Sequence, residues 1–110
     1  MAIVSNLTID QGSTFSASID VTDVEDNVLV LTGYTVAAQI RKTYDSTTAV
    51  DFTGSVSNAT QGEITISLTP AQTNALVAGR YVYDAEITSG GGTVTRVLEG
   101  QIEVTPGVTR

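Results

Sequence analysis

The chain contains no cysteine, no histidine and no tryptophan. Without cysteine there are no disulfides, no thiolate metal sites and no Cys nucleophile. Without histidine the commonest general base and zinc ligand are missing, and a Ser-His-Asp triad is excluded. These two absences argue against an enzyme. Basic residues are scarce: five Lys and Arg stand against twelve Asp and Glu, a formal net charge of −7. Nucleic-acid binders need cations that release phosphate counterions, and anionic membranes attract the same kind of surface. Neither partner is expected. No apolar run approaches the length of a bilayer span. Met1-Ala2-Ile3-Val4-Ser5-Asn6 has neither the basic region nor the apolar run of a signal peptide, so synthesis in the cytosol without export is expected. Aromatic residues make up only 5%. Any core must therefore be built mainly from Val, Ile, Leu and Ala, with a few Tyr and Phe.

What is present is enough for one domain, residues 1–110. A chain of 110 residues removes roughly 65% of its unfolded surface from water when it folds, so one core suffices without staples. The 41% hydrophobic content supports packing over disorder. The short segments 1–6 and 105–110 read as an arm and a tail that order on assembly.

Alternation of apolar and polar residues is the dominant signal. Leu7 and Ile9 suggest an opening strand that ends at the turn Asp10-Gln11-Gly12. Over 13–22, Phe15, Ala17, Ile19 and Val21 point one way. After an acidic turn and a short apolar run at 28–31, Tyr34, Val36, Ala38 and Ile40 alternate again. Residues 42–48 read as a loop or weak edge strand. Val50 and Phe52 suggest a short strand, with Gly54 as a break before Val56. Ile64, Ile66 and Leu68 mark the inner face of 63–68. Thr69, Pro70 and Gln72 then form a helix-start signal, with Thr69 as cap and Gln72 as its capping-box partner. The helix should run over 70–76, with Gly79 closing it. Tyr81, Tyr83, Ala85 and Ile87 share one face of the next strand. Ser89-Gly90-Gly91-Gly92 is a hairpin loop, and 93–105 is the last strand. Gly100 within it suggests a bulge or a close backbone approach.

Strands with one apolar and one hydroxyl-rich face form antiparallel sheets covered on one side, and two such sheets stack as a sandwich. A barrel is the other closure. The short helix before a Tyr-rich strand favours the sandwich, because a tyrosine corner occupies that place in immunoglobulin-like folds, with Tyr81 or Tyr83 as the candidate. The expected fold is thus all-β: an immunoglobulin-like antiparallel β-sandwich of seven to eight strands with one short helix.

Several groups carry potential chemistry. Asp20, Asp23, Glu25 and Asp26 are the best calcium candidates, but the spacing is not that of an EF-hand and a solvated turn is the plainer reading. Asp84 and Glu86 share a strand face at a spacing compatible with paired-carboxylate hydrolysis. With no cleft or sugar platform beside them, a solubilising role is the expectation. Asn6-Leu7-Thr8 and Asn58-Ala59-Thr60 match the glycosylation sequon and read as chance matches in a Thr-rich chain. The glycine run at 90–92 lacks the following helix and Lys of a phosphate cradle. Of the four tyrosines, alternation turns Tyr34, Tyr81 and Tyr83 inward and leaves Tyr44 exposed. Strict alternation also turns Arg96 inward with Leu98, which only a bulge or strand end relieves. No catalytic, cofactor or metal residue is assigned, and no cofactor is expected.

The ordered motifs resemble a known group. They are Asp10-Gln11-Gly12-Ser13-Thr14-Phe15, Leu31-Thr32-Gly33-Tyr34, Ile40-Arg41, Gly62-Glu63-Ile64, and Leu68-Thr69-Pro70-Ala71-Gln72-Thr73. The tail adds Gly79-Arg80-Tyr81-Val82-Tyr83-Asp84-Ala85-Glu86-Ile87 and Leu98-Glu99-Gly100-Gln101-Ile102-Glu103-Val104. Together, over about 10–105, they resemble immunoglobulin-like structural domains of tailed-bacteriophage virions, in particular the N-terminal domain of baseplate upper proteins. The resemblance implies a non-enzymatic virion component, made in the host cytoplasm. It would dock in many copies on other virion structural proteins, as an assembly or capsid-decoration module. It carries over no catalytic residue and leaves open baseplate, tail, neck or capsid surface. A carbohydrate- or cell-surface-binding sandwich module is the alternative.

Overall fold

In 63–68 the alternation is complete: Ile64, Ile66 and Leu68 are buried, and Glu63, Thr65 and Ser67 between them face outward. The same two-residue period builds most of the molecule, whose computed structural model describes residues 3–22, 25 and 27–108. The strands are β1 (Ile3–Val4), β2 (Leu7–Asp10), β3 (Phe15–Asp20), β4 (Thr35–Arg41) and β5 (Val50–Asp51). They continue with β6 (Thr53–Asn58), β7 (Glu63–Leu68), β8 (Gly79–Thr88) and β9 (Val94–Thr105). One helical turn, Ala59–Gln61, joins β6 to β7, and helix α1 (Pro70–Asn74) joins β7 to β8.

The strands form two sheets. One is six-stranded in the order β1-β9-β8-β4-β5, with β2 also on β9; the other is three-stranded, β3-β7-β6. Phe52 carries the chain from β5 in the first sheet to β6 in the second. Its N–H donates to the Ala38 carbonyl at 2.9 Å, and its ring lies 5.9 Å from Phe15 and 6.3 Å from Tyr83. The core between the sheets is otherwise aliphatic, including Ile9, Leu31, Ile40, Ile64, Ile66, Ile87, Leu98 and Ile102. Each such side chain contributes about 1.5–3 kcal/mol relative to its exposed state.

The Tyr81 hydroxyl donates back to the Val77 carbonyl at 2.7 Å, which makes Tyr81 the tyrosine corner. Tyr83 instead reaches across the sheet to the Ser5 carbonyl at 2.6 Å. With this strand order and corner, the molecule is an immunoglobulin-like β-sandwich.

Several details differ from the expectation. The six-stranded sheet is mixed: β1 and β2 run parallel to β9, with Leu7 opposite Ile102 and Ile9 opposite Val104. The direction follows from connectivity, since the turn after β2 must deliver β3 to the end of the sandwich where α1 sits. The six N-terminal residues are not an arm throughout. Ile3–Val4 pairs with β9, and Ser5 N–H donates to the Glu99 carbonyl at 2.8 Å. This covers an edge that β9 would otherwise expose. Helix α1 starts with the expected capping box, Thr69 bonding Gln72 N–H while Gln72 bonds Thr69 N–H. It ends at Asn74 with Ala75 as its cap, before Gly79, because Leu76 turns into the core. Gly54 does not break its strand. It sits inside β6, where a Cβ would lie 2.8 Å from Val36 Cγ1, so the two sheets meet there on a missing side chain. At 28–31 there is no strand among the described residues: Val28 forms a single bridge with Thr22, Leu29 N–H donates to the Val21 carbonyl at 3.1 Å and Leu31 N–H to the Ala59 carbonyl at 2.9 Å.

Candidate functional site

The outer face of the six-stranded sheet gathers most of the molecule's described charged side chains. On β4, Gln39 and Arg41 fall on the outward phase, and on β8, Val82, Asp84 and Glu86 do. Register sets them in rows: Gln39 stands between Asp51 and Asp84, and Asp84 is opposite Glu99. Arg96 joins them through a bulge. Ala85 pairs with Leu98 and Glu86 pairs with Arg96, so Val97 is the extra residue. In a regular ladder Arg96 would oppose the buried Ile87. The bulge turns it outward, and Val97 is buried with Leu98. This is the relief that its position in the sequence demanded.

The face is cross-linked by polar contacts. Gln39 donates from Nε2 to Asp51 Oδ1 at 2.7 Å and accepts at Oε1 from Arg41 Nη2 at 3.0 Å. Arg41 Nη1 donates to the Ser46 carbonyl at 2.6 Å, tying down the 42–49 loop. Arg96 lies 3.3 Å from Asp84 Oδ2 and 3.5 Å from Glu99 Oε2. These ion pairs are half-exposed and worth about 0–1 kcal/mol each, so they orient side chains more than they hold the fold. A shallow depression of about 320 Å³ is lined by Gln39, Arg41, Tyr44, Asp84, Glu86 and Arg96. Tyr44, 82% exposed, stands at its rim.

The structure brings Asp84, Glu86 and Arg96 together with Tyr44. Sequence reasoning had singled out Asp84 and Glu86 as a pair, and Arg96 and Tyr44 each alone. It missed Gln39, Arg41, Asp51 and Glu99, because rows across a sheet depend on register, which a single strand does not reveal.

The remaining candidates lie elsewhere. Asp20 is at the end of β3 opposite Glu63, and Glu25 is exposed. Asp23 and Asp26 lie outside the described residues. Among the described residues no group of three acidic side chains is arranged to hold a metal ion. Both sequon asparagines act as local acceptors. Asn6 Oδ1 accepts from Gln101 N–H at 3.1 Å, and Asn58 Oδ1 accepts from Gln61 N–H at 3.3 Å and Thr60 Oγ1 at 3.0 Å. The glycine run closes on itself: Gly92 N–H donates to the Ser89 carbonyl and Ser89 N–H to the Thr93 carbonyl. Tyr81 and Tyr83 are buried, Tyr34 is half-buried and Tyr44 is exposed. Burial pushes the Tyr83 phenol above the ordinary tyrosine value of 10.0.

The opposite, outer face of the three-stranded sheet carries a hydroxyl chain. Ser18 and Thr65 share a hydrogen bond of 2.8 Å, Thr65 Oγ1 donates to Ser57 Oγ at 3.0 Å, and Ser57 Oγ donates to Glu63 Oε1 at 2.8 Å. These groups satisfy one another, whereas Tyr44, in the loop after β4, is exposed beside the outer face of the other sheet. The candidate site is therefore the outer face of the six-stranded sheet. No known protein-family model matches the chain, and no curated protein matches it significantly.

Proposed function

We propose that this chain is a non-enzymatic structural protein of a tailed-bacteriophage virion, docking in many copies on other tail, baseplate or capsid proteins. The ordered motifs of the sequence resemble domains with that role. The observation that carries the reading is the cross-linked outer face built around Tyr44 and Arg96. Protein interfaces need a shaped patch with a few aromatic and Arg anchors and a polar surround. Tyr44 supplies the exposed ring, Arg96 the guanidinium, and Gln39, Asp51, Asp84 and Glu99 the polar surround. Their mutual hydrogen bonds fix the side chains before docking, which lowers the ordering cost of association. A photo-cross-linking residue placed at Tyr44 tests this in assembled particles. An adduct with another virion protein is expected, and particles bearing the protein without any such adduct would contradict the docking face.

A second reading, carbohydrate binding, is favoured by one observation: Tyr44 stands beside Gln39, Asp84 and Arg96, a ring next to hydrogen-bonding groups suited to a sugar. A glycan array probed with the protein, with and without calcium, separates the readings. Specific binding that Tyr44→Ala abolishes would favour the second.

A further inference from the structure

We infer that two copies of this chain pair along the free edge of β3, antiparallel about a two-fold axis at Ser18, joining their three-stranded sheets into one. Among the described residues no strand lies beyond β3 in its sheet. Val21 N–H donates toward the β7 side, to the Gly62 carbonyl at 2.7 Å. Backbone groups alternate in the side of a strand that they face. Those of Phe15, Ala17 and Ile19 therefore face β7, and those of Ser16, Ser18 and Asp20 face the open edge. Among the described residues no other segment bonds them. The other edge strands are blunted: β1 and β5 have two residues each, β2 has four, and β6 shifts register between Val56 and Asn58. β3 has six residues in unbroken register with β7. It contains no Pro, Lys or Arg, and its one charge, Asp20, stands at its end. The devices that usually protect an edge are missing here.

The strand's own pattern selects the occupant. Phe15, Ala17 and Ile19 are half-buried, while Leu68, Ile66 and Ile64 opposite them on β7 are buried. The apolar layer thus reaches this edge with one flank uncovered, and a strand that completes it must alternate in the same phase. A second β3 does so. With Ser18 opposite Ser18 of the second copy, Ala17 meets Ile19 and Ser16 meets Asp20. Every apolar residue stays on the inner face and every polar one on the outer. The backbone groups of Ser16, Ser18 and Asp20 in both copies gain partners. A slip of one residue would turn the hydroxyls inward, so the polar outer residues reject neighbouring registers. Antiparallel pairing also sets the two Asp20 carboxylates at opposite ends, about 13 Å apart along the strands. That exceeds the screening length of about 8 Å in physiological salt, whereas parallel pairing would set them side by side. Such an isologous contact closes at a dimer. The inference stands on the chain's own edge and does not depend on the virion reading.

Sedimentation velocity on the purified protein tests it from about 10 μM to about 1 mM, because an edge contact is small and weak. The expected result is a monomer–dimer equilibrium with nothing larger. Ser18 is exposed and faces its own copy on the axis, so Ser18→Lys and Ser18→Glu each set like charges directly opposite. Each variant alone should be monomeric. Mixed, they should form a one-to-one dimer, since the charges across the axis are then opposite. Ser16→Lys stands opposite Asp20 of the second copy and should tighten the dimer severalfold. A native circular dichroism spectrum checks each fold. A wild type that stays monomeric throughout would overturn the inference, and so would oligomers larger than a dimer. Single Ser18 variants that dimerise like wild type, a mixture that stays monomeric, or a Ser16→Lys variant that dimerises no better than wild type would overturn it as well.

Discussion

The Thr73 hydroxyl, fully buried, holds two turns together. It accepts from Gly12 N–H at 3.0 Å and lies 2.8 Å from the Ser13 carbonyl, to which it donates. Thr73→Val keeps the shape but leaves those two backbone groups without a partner. A loss of about 1–3 kcal/mol is expected, read as a lower urea midpoint at unchanged slope. Tyr83 gives a pH signature. Its folded pKa is raised by burial, so the folded state holds its proton where the unfolded chain releases it. That contribution is complete below the ordinary value of 10.0 and is lost as pH rises through the folded value. Urea midpoints should therefore fall above that pH, and Tyr83→Phe should fall less steeply over the same window. Arg96 shows the opposite balance. Its ion pairs are exposed, so Arg96→Ala should change stability by less than about 1 kcal/mol while weakening the docking proposed for that face.

At the scale of elements, strands were legible wherever alternation was strict. The inner residues of 63–68 and 80–88, and the capping box at Thr69, followed from local spacing alone. What escaped depended on partners distant in sequence. The parallel pairing of β1 and β2 with β9 is one case, because nothing in Ile3 or Val4 marks the strand beside them. Gly54 is another: as a lone residue it reads as a break, and only its contact with Val36 explains it as part of β6. Arg96 and Gly100 were flagged correctly as anomalies, and the structure assigns them different causes. Arg96 turns out through the bulge at Val97. Gly100 exists because the Ser5 carbonyl passes where a Cβ would sit. Gly100→Ala should therefore detach the β1 segment and cost about 1–3 kcal/mol, the range of an overpacked site. Faster amide exchange at Ser5, whose N–H bonds the Glu99 carbonyl, would report it. The candidate face was half legible for the same reason: its residue types were visible, but not the register that assembles them.

At the scale of the molecule, the sandwich sets apart two outer faces. The outer face of β3-β7-β6 carries hydroxyls that satisfy one another, with Asp20 and Glu63 opposite each other at one end. The outer face of the larger sheet is charged, cross-linked and marked by Tyr44. β3 and β6 leave the smaller sheet with two open edges, and the outward Ser16, Ser18, Asp20, Ser55 and Ser57 keep those strands polar, which discourages indiscriminate edge pairing. A module with such surfaces suits ordered assembly through chosen faces. The most direct measurement is quantitative mass spectrometry of purified phage particles from the host that produces the protein. The account expects this chain in the particles at a copy number that is a multiple of the particle's symmetry; its complete absence from intact, infectious particles would contradict it.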